Sequence, residues 1–224
     1  MKAFIYTLAM ISLIGHSATA DGKLMIDRFN DNDNRSEQGG WWYTYDDSNR
    51  GGNSQCAPLP DQFKPAKSED EQGYAARLTG LTGTKLGWDY FGMGVTLTKD
   101  SGCPDPHAVD ISKYSTLEFK MKGNASAGRL IVMILYTEDK CDGMIPVTKT
   151  AWADYQAAVT SDLNPDWTTV KLDLRKDFAQ PHWAKTEHVF PIEEVLKKAH
   201  VIQWHFYSAD GDTLDLWIDD IMLY

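Results

Sequence analysis

The sequence predicts an all-β protein with a two-layer β-sandwich fold, and three observations support this prediction. About ten short segments rich in branched and aromatic residues are separated by Gly, Pro, Asn and Asp. Several of these segments alternate apolar and polar residues, as a strand with one buried and one solvated face does. Only one short segment has the features of a helix. Short strands joined by such turns are typical of a sandwich or a barrel.

The ten predicted strands are taken in chain order. Their bounds are 23–29, 41–47, 74–81, 90–97, 115–122, 129–137, 153–160, 167–174, 200–208 and 213–224. Segment 130–135 is apolar on both faces, which favours a central position in a sheet. Segment 51–70 is rich in Gly, Pro, Asn, Ser and Gln, and we interpret it as a long surface loop.

A single short helix is predicted to begin at Pro191. Glu193 and Glu194 would lie in its first turn, and Lys197 and Lys198 in its last turn. Acidic residues first and basic residues last suit the helix dipole, and proline suits a helix start. We expect about two turns of helix at one end of the sandwich.

Residues 1–20 have the pattern of a secretory signal. Lys2 supplies the positive end, 3–15 the apolar stretch, and 18–20 the small-residue cleavage site. The apolar run is shorter than the roughly 20 residues that span a bilayer. We therefore expect no membrane span, and one domain over 21–224 that is secreted, periplasmic or exposed at the cell surface.

The composition is acidic and rich in aromatic residues. The net charge is −10, and it becomes −11 when Lys2 is removed with the signal. This charge gives no electrostatic attraction for nucleic acid or anionic lipid. Eight Trp, ten Tyr and eight Phe exceed the needs of a core of this size, so some rings are expected to be exposed. Exposed rings suit flat ligands with apolar faces, such as sugars.

Three cysteines lie in turn-rich segments and form no C-x-x-C pattern. They are Cys56, Cys103 and Cys141. Export makes one disulfide with one remaining thiol plausible, and three pairings are possible. We favour Cys103 with Cys141, because both follow strands in the middle of the chain, although the sequence leaves the pairing open.

Two acidic clusters lie at the ends of the domain. Asp219 and Asp220 interrupt the apolar last strand, and a second cluster occupies 25–34. Buried carboxylates need a cation or hydrogen-bond donors. We expect the first and last strands to be neighbours and to share a structural calcium ion bound by Asp219 with Asp27 or Asn30 and by main-chain carbonyls. Alternatively, Asp219 and Asp220 cap turn amides without a cation.

Candidate ligand-binding side chains occur on three strands and one loop. Alternation places Gln203, His205 and Tyr207 on the strand face opposite to Ile202, Trp204 and Phe206. The other candidates are Tyr45, next to Tyr43, Tyr90, and the loop residues Asp177, His182 and Trp183. Amide, imidazole and phenol groups suit the recognition of hydroxyls. Alternatively, Gln203, His205 and Tyr207 lie on a solvated sheet face without a ligand, the tyrosines pack in the core, and the loop is an ordinary polar loop.

Catalytic patterns are few, and we expect no enzymatic activity. No G-x-S-x-G, H-E-x-x-H, P-loop or Rossmann pattern is present. A small jelly-roll glycoside hydrolase would need two carboxylates about 5–10 Å apart. Glu118 is the one Glu within a well-defined predicted strand, and Asp154 or Asp173 would be its partner.

Six stretches together resemble carbohydrate-binding module family 11 and its relatives with a galactose-binding-like jelly roll. They are MIDRF, GWDYFGMGVTL, VDISKYSTLEFKMKG, DWTTVKLDL, VIQWHFY and LWIDDIMLY, in this order. The resemblance implies a concave face that binds β-glucan or a related plant polysaccharide, and a calcium site away from that face. It also implies that Tyr45 and Tyr90 stack on sugars, and that Gln203 and either Phe206 or Tyr207 face the ligand.

The same core fold resembles the complex I intermediate-associated protein family, which acts through protein contacts. An envelope, adhesion or assembly protein that binds another protein is therefore the alternative to a secreted carbohydrate-binding protein. The signal sequence argues against the intermediate-associated role.

Overall fold

A computed structural model describes residues 22–68, 73–99, 107–142 and 145–224, with the side chains of 138–147 left out. In this part of the chain, thirteen β-strands form two antiparallel sheets, accompanied by one α-helix, α1 (Ile192–Lys197). The predicted all-β sandwich with one short helix is confirmed. The proposed signal, 1–20, lies outside the described residues.

The seven-stranded sheet contains the first and last strands. Its order is β11 (Thr168–Asp173), β7 (Thr116–Ala125), β13 (Thr213–Leu223), β5 (Gly73–Leu81) and β3 (Gln55–Ala57), with β1 (Leu24–Asp27) paired to β13 and β4 (Ala66–Ser68) paired to β5.

The six-stranded sheet packs against it. Its order is β10 (Tyr155–Ala158), β8 (Arg129–Asp142), β12 (Ala199–Ser208), β6 (Asp89–Thr96) and β2 (Trp42–Asp46), with β9 (Ile145–Thr148) paired to β8. β8 lies inside the sheet, as its apolar faces predict.

All ten predicted strands are present, and three short ones were missed. β3 and β4 lie in segment 51–70, so the interpretation of that segment as irregular loop is wrong in part. Phe63 and Cys56 are buried there, and Cys56 is a free thiol. Three residues are too few for an alternating pattern to be visible in the sequence. Cys103 and the side chain of Cys141 lie outside the described residues, so their pairing stays a prediction.

The core lies between the sheets and follows the alternation of the strands. Ile202, Trp204 and Phe206 of β12 are completely buried, and Trp204 meets Phe119 of the opposite sheet edge-on at 5.4 Å. Trp42 of β2 stacks on Trp204 at 5.9 Å. Because alternate residues of β12 fill the core, the residues between them point out of the sandwich.

The predicted contact between the first and last strands is confirmed. β1 pairs antiparallel with β13, with Asp27 opposite Ile221, and a bulge interrupts β13 between Asp219 and Met222. Asp220 within this bulge has a positive φ of 48°. In the described part of the chain, no helix is long and apolar enough to cross a membrane.

Candidate functional site

The outer face of the six-stranded sheet carries a group of neighbouring rings that we call the aromatic face. It consists of Tyr43, Tyr45, Trp88, Tyr90, His205 and Tyr207. Strand register brings these residues together: Tyr45 and His205 both lie opposite Gly92, and Tyr207 lies opposite Tyr90. The predicted outward orientation of Gln203, His205 and Tyr207 is therefore present, and four of the candidate rings share one surface.

Two glycines of β6 explain how the tyrosines lie flat across the sheet. A Cβ atom at Gly92 would stand 2.4 Å from Tyr45 Oη, and one at Gly94 would stand 2.9 Å from Tyr43 Cζ. Any other residue would occupy the space of these rings. The rings of β2 therefore cross over β6, and their hydroxyls reach β12.

The tyrosine hydroxyls bind the polar side chains of β12. Gln203 Nε2 donates to Tyr43 Oη at 2.6 Å. Tyr45 Oη lies 2.9 Å from His205 Nδ1 and 3.3 Å from Gln203 Oε1. The Gln203 amide thus orients two rings. Because Tyr43 Oη is an acceptor in this contact, its own proton remains available for a ligand oxygen.

The rings continue to one end of the sheet without a gap. His205 lies 5.0 Å from Tyr90 and 5.9 Å from both Tyr45 and Tyr207, centroid to centroid. Trp88 stacks on Tyr90 at 5.7 Å with only 12° between the planes. Its side chain is 54% exposed, so a broad indole surface faces solvent at this end. Such an exposed apolar patch, edged by polar groups, is typical of a binding site.

A pocket of about 390 Å³ adjoins the exposed indole. Trp88, Tyr207, Arg129 and Asp210 are among the residues that line it. The Arg129 guanidinium lies 5.7 Å from the centre of the Tyr207 ring. The aromatic face therefore ends in a depression that is lined by aromatic rings, a basic side chain and an acidic side chain.

Burial disfavours the charged forms of four side chains of the aromatic face. Burial lowers the pKa of His205 to about 4. Burial also raises the pKa of Tyr43, Tyr45 and Tyr90 above that of a free tyrosine. Desolvation disfavours the charged form in each case. Neutral hydrogen-bonding groups beside rings suit a neutral, hydroxyl-rich ligand better than an ion.

The low pKa of His205 predicts a loss of stability in acid. Because the folded-state value lies below the unfolded value of 6.5, this stabilising contribution is complete above pH 6.5 and is lost as the pH falls towards 4. The contribution of His205 to the free energy of unfolding is at most about 3 kcal/mol. Urea unfolding from pH 7 to 4 should show a steeper decline for the wild type than for His205→Gln. His107→Gln, at an exposed position, is the control and should decline like the wild type; parallel curves for all three proteins would contradict the prediction.

The predicted loop residues lie beside the edge strand β10. Ala179 bridges to Gln156 of β10, and Gln180 binds the main chain of Ala153, His188 and Phe190. Asp177 accepts a hydrogen bond from Asp173 N at the end of β11, so it closes a turn of the seven-stranded sheet.

His182 and Trp183 are exposed within this loop, and Trp183 is 58% exposed. Their role in binding, like that of Asp177, stays a prediction.

Sequence reasoning left Trp88 and Tyr43 out of the proposed site. Alternation puts Tyr43 on the same strand face as Tyr45 and Trp88 on the same face as Tyr90, but it does not tell which face is exposed. The pattern Gly-x-Gly at 92 and 94, opposite two tyrosines, is the signal that points to Tyr43, because only glycine leaves room for a ring lying flat.

The candidate catalytic carboxylates are held in other interactions. Glu118 accepts a hydrogen bond from Tyr224 and forms an ion pair with Lys171 at 2.9 Å; these lower its pKa. A side-chain hydrogen bond from Lys176 lowers the pKa of Asp173. A general acid needs a raised pKa. Burial raises the pKa of Asp154 to about 7. However, Asp154 lies at the edge of the six-stranded sheet, whereas Glu118 and Asp173 lie in the seven-stranded sheet, and it is only 1% exposed.

The residues proposed for calcium lie on or beside the paired first and last strands. Asp27 accepts hydrogen bonds from Phe29 N and from Trp42 Nε1, at 2.8 and 2.6 Å. Asp219 accepts one from Asp220 N at 2.7 Å, and Asn30 is exposed. Among the described residues, no three His, Cys, Asp or Glu side chains form a metal-binding group. Two buried carboxylates fit calcium only if main-chain carbonyls complete the 6–8 oxygens it takes.

No protein-family model and no curated protein matches this chain. Solved structures do. A family 11 carbohydrate-binding module of a cellulosomal cellulase of Clostridium thermocellum aligns with 92% of this chain and 95% of its own, with 17% identity and a TM-score of 0.54. The family 11 module of that organism in complex with a β-1,3-1,4-mixed-linked tetrasaccharide aligns with a TM-score of 0.54 over 90% of this chain and 94% of its own, at 17% identity.

Two further structures share the fold. A family 30 carbohydrate-binding module of a Clostridium thermocellum cellulosomal cellulase aligns with 90% of this chain and 96% of its own, with 18% identity and a TM-score of 0.53. A β-1,2-glucanase from Parabacteroides distasonis aligns with 89% of this chain and 24% of its own, at 15% identity and a TM-score of 0.50. The chain therefore has the fold of family 11 and family 30 carbohydrate-binding modules, and the fold expected from the resemblance is confirmed.

Proposed function

We propose that the protein is a non-catalytic carbohydrate-binding protein that holds a polysaccharide chain on the aromatic face. The observation that carries this proposal is the continuous run of rings from Trp88 through Tyr90 and His205 to Tyr45, on the outer face of the six-stranded sheet. The fold shared with carbohydrate-binding modules supports it.

The chemistry of the face matches a glucan chain. Sugar rings have apolar faces, formed by C–H groups, and polar edges, formed by hydroxyls. Trp88 and Tyr90 offer flat apolar surface, and the stacking of one ring on the other reduces the entropy that binding would cost. We propose that the hydroxyls of Tyr43 and Tyr207 and the imidazole of His205 bind the sugar hydroxyls. We propose β-glucans or related plant polysaccharides as the class of ligand.

Affinity electrophoresis in gels that contain single polysaccharides would test this function. We expect slower migration in at least one of mixed-linkage β-glucan, xyloglucan or hydroxyethylcellulose, with calcium present, relative to a gel without polysaccharide. Bovine serum albumin serves as the non-binding standard. Unchanged migration in all gels would contradict the proposal.

The export of the protein and its lack of catalysis belong to the same proposal. A binding module acts where insoluble glycans are, and the signal pattern at 1–20 agrees with secretion or display at the cell surface. Incubation of the purified protein with the polysaccharide that retards it should release no reducing sugar. Release that disappears in Glu118→Gln would instead favour a hydrolase.

We also propose that calcium stabilises the junction of β1 and β13. A ligand that binds only the folded state adds about 2.7 kcal/mol at a concentration 100 times its Kd. The melting temperature should therefore rise by about 5–10 °C between excess EDTA and millimolar calcium. Asp219→Asn should lose this response, whereas Asp220→Asn, which removes an ion pair with Lys120, should keep it. Equal melting temperatures with calcium and EDTA would contradict this proposal.

A further inference from the structure

Two side chains from opposite edges of the six-stranded sheet meet each other. Arg50 follows β2 at one edge, and Trp152 precedes β10 at the other. Four strand spacings separate these edges, about 19 Å. Nevertheless, the Arg50 guanidinium carbon lies 5.7 Å from the centre of the Trp152 ring, within reach of a cation–π interaction.

The twist of the sheet explains how these edges approach. Arg50 lies past the C-terminal end of β2, and Trp152 lies before the N-terminal end of β10. Since β2 and β10 run in the same direction, the two residues occupy diagonally opposite corners. Adjacent strands rotate by about 20–25°, which turns diagonal corners towards the same side of a sheet.

That side is the one with the aromatic face. Arg50 acts directly on the phenol of Tyr90, whose pKa it lowers against the larger effect of burial. The turn that carries Arg50 also adjoins Tyr90, because Arg50 N donates to Asp47 O and Tyr90 N donates to Asp47 Oδ2. Trp152 comes from the opposite edge of the sheet and reaches Arg50 there. The contact between Arg50 and Trp152 therefore passes over the rings.

The loop around Trp152 is shaped to project over the sheet. Six residues, 149–154, stand opposite only two residues of β8, because Thr148 pairs with Thr137 and Tyr155 with Ile134. Ala151 and Trp152 have positive φ values of 47° and 70°. The main chain of this loop is anchored: Lys149 N donates to Tyr136 O, and Trp152 N donates to Thr148 Oγ1.

The two side chains themselves are held only weakly. Arg50 is exposed, and Trp152 is 46% exposed. A cation–π contact at such an exposed site contributes about 0.5–1 kcal/mol, which corresponds to about 2–5 closed molecules for each open one. This magnitude predicts a contact that is formed most of the time and yet breaks readily.

We propose that Arg50 and Trp152 form a clasp over the aromatic face, which opens to admit a polysaccharide chain and closes above it. This inference rests on the proposed carbohydrate-binding function. The clasp makes the open face a covered groove. A long chain cannot enter sideways until the clasp opens, and it cannot leave until the clasp opens again, so the clasp controls residence time more than affinity.

The kinetic consequence distinguishes a clasp from a simple stacking contact. Removal of either partner should raise the association and dissociation rate constants of a mixed-linkage β-1,3-1,4-glucan polymer together, each about 3-fold, with Kd changed less than 2-fold. Loss of a stacking ring would raise only the dissociation rate. A β-1,3-1,4-linked tetrasaccharide can slide in from the end of the groove, so its rates should change less than those of the polymer.

Surface plasmon resonance with immobilised wild type, Arg50→Ala and Trp152→Ala would measure these rates. Trp217→Ala is the matched control, because this tryptophan also packs under an arginine, Arg77 at 4.7 Å, but on the outer face of the other sheet. A double-mutant cycle on the urea unfolding of the ligand-free protein should give a 2–5-fold coupling between Arg50→Ala and Trp152→Ala.

The outcomes separate the clasp from the binding function. Binding with unchanged rates in both variants, or a coupling factor of one, would overturn the clasp alone. Failure of the wild type to bind either glucan, with the 2–5-fold coupling present, would overturn the β-glucan function and the clasp's role in it, while leaving the contact itself established.

Discussion

Replacement of Trp88 by alanine is expected to weaken glucan binding by about 30-fold or more. An aromatic anchor in an interface contributes 2 kcal/mol or more when it is truncated, and this value corresponds to that factor. Trp88 is 54% exposed in the free protein and lies nearly parallel to Tyr90, so its indole is the largest free stacking surface of the aromatic face. Isothermal titration with the glucan that gives the strongest retardation would measure the loss.

Two further variants should be measured by the same titration. Trp88→Phe retains a ring and should recover part of the affinity, whereas Trp217→Ala on the opposite sheet should bind as the wild type does. A Trp88→Ala variant with unchanged affinity and a folded circular dichroism spectrum would show that ligands do not occupy this end of the aromatic face.

Replacement of Gly92 by alanine is expected to lower stability and binding together. The added Cβ would stand 2.4 Å from Tyr45 Oη and 2.7 Å from the main-chain oxygen of Trp204. The ring can turn away, but the carbonyl of β12 cannot move without shifting the strand. Overpacking of this kind costs about 1–3 kcal/mol, and the displaced ring would leave the plane on which sugars stack. Urea unfolding and isothermal titration on the same preparation would measure both effects.

Gly73→Ala is the matched control for this change. It also lies in a strand, β5, and no described heavy atom stands within 4 Å of its added Cβ. It should change the free energy of unfolding by no more than about 0.5 kcal/mol. If Gly92→Ala behaved like Gly73→Ala in both measurements, the close packing of Tyr45 over β6 would be refuted.

Alternation within strands was enough to predict much of the aromatic face. Alternate positions of β12 were predicted to point to opposite faces. Trp204 and Phe206 are buried in the core, and Gln203, His205 and Tyr207 lie on the outer face. The alternation of side chains between the two faces of a strand depends only on neighbouring positions, so it is visible in the sequence. Alternation does not report which strands are neighbours, so the expectation that Tyr45, Tyr90 and Gln203 share one surface depended on the family resemblance.

Short and irregular segments escaped prediction for a different physical reason. β3 and β4 have three residues each, and their strand conformation comes from pairing with β5. The meeting of Arg50 with Trp152 joins residues 102 positions apart and depends on sheet twist. Neither residue stands in a pattern that differs from an ordinary loop.

Periodicity and turn residues act over a few positions. Local patterns were therefore enough to predict the all-β sandwich, its ten principal strands, the short α-helix and the alternation of the site residues. The folded chain was needed to show which rings touch, how the glycines of β6 let them lie flat, and which corners of the sheet meet above them. These features depend on strand order and twist, and both are set by the packing of the whole core.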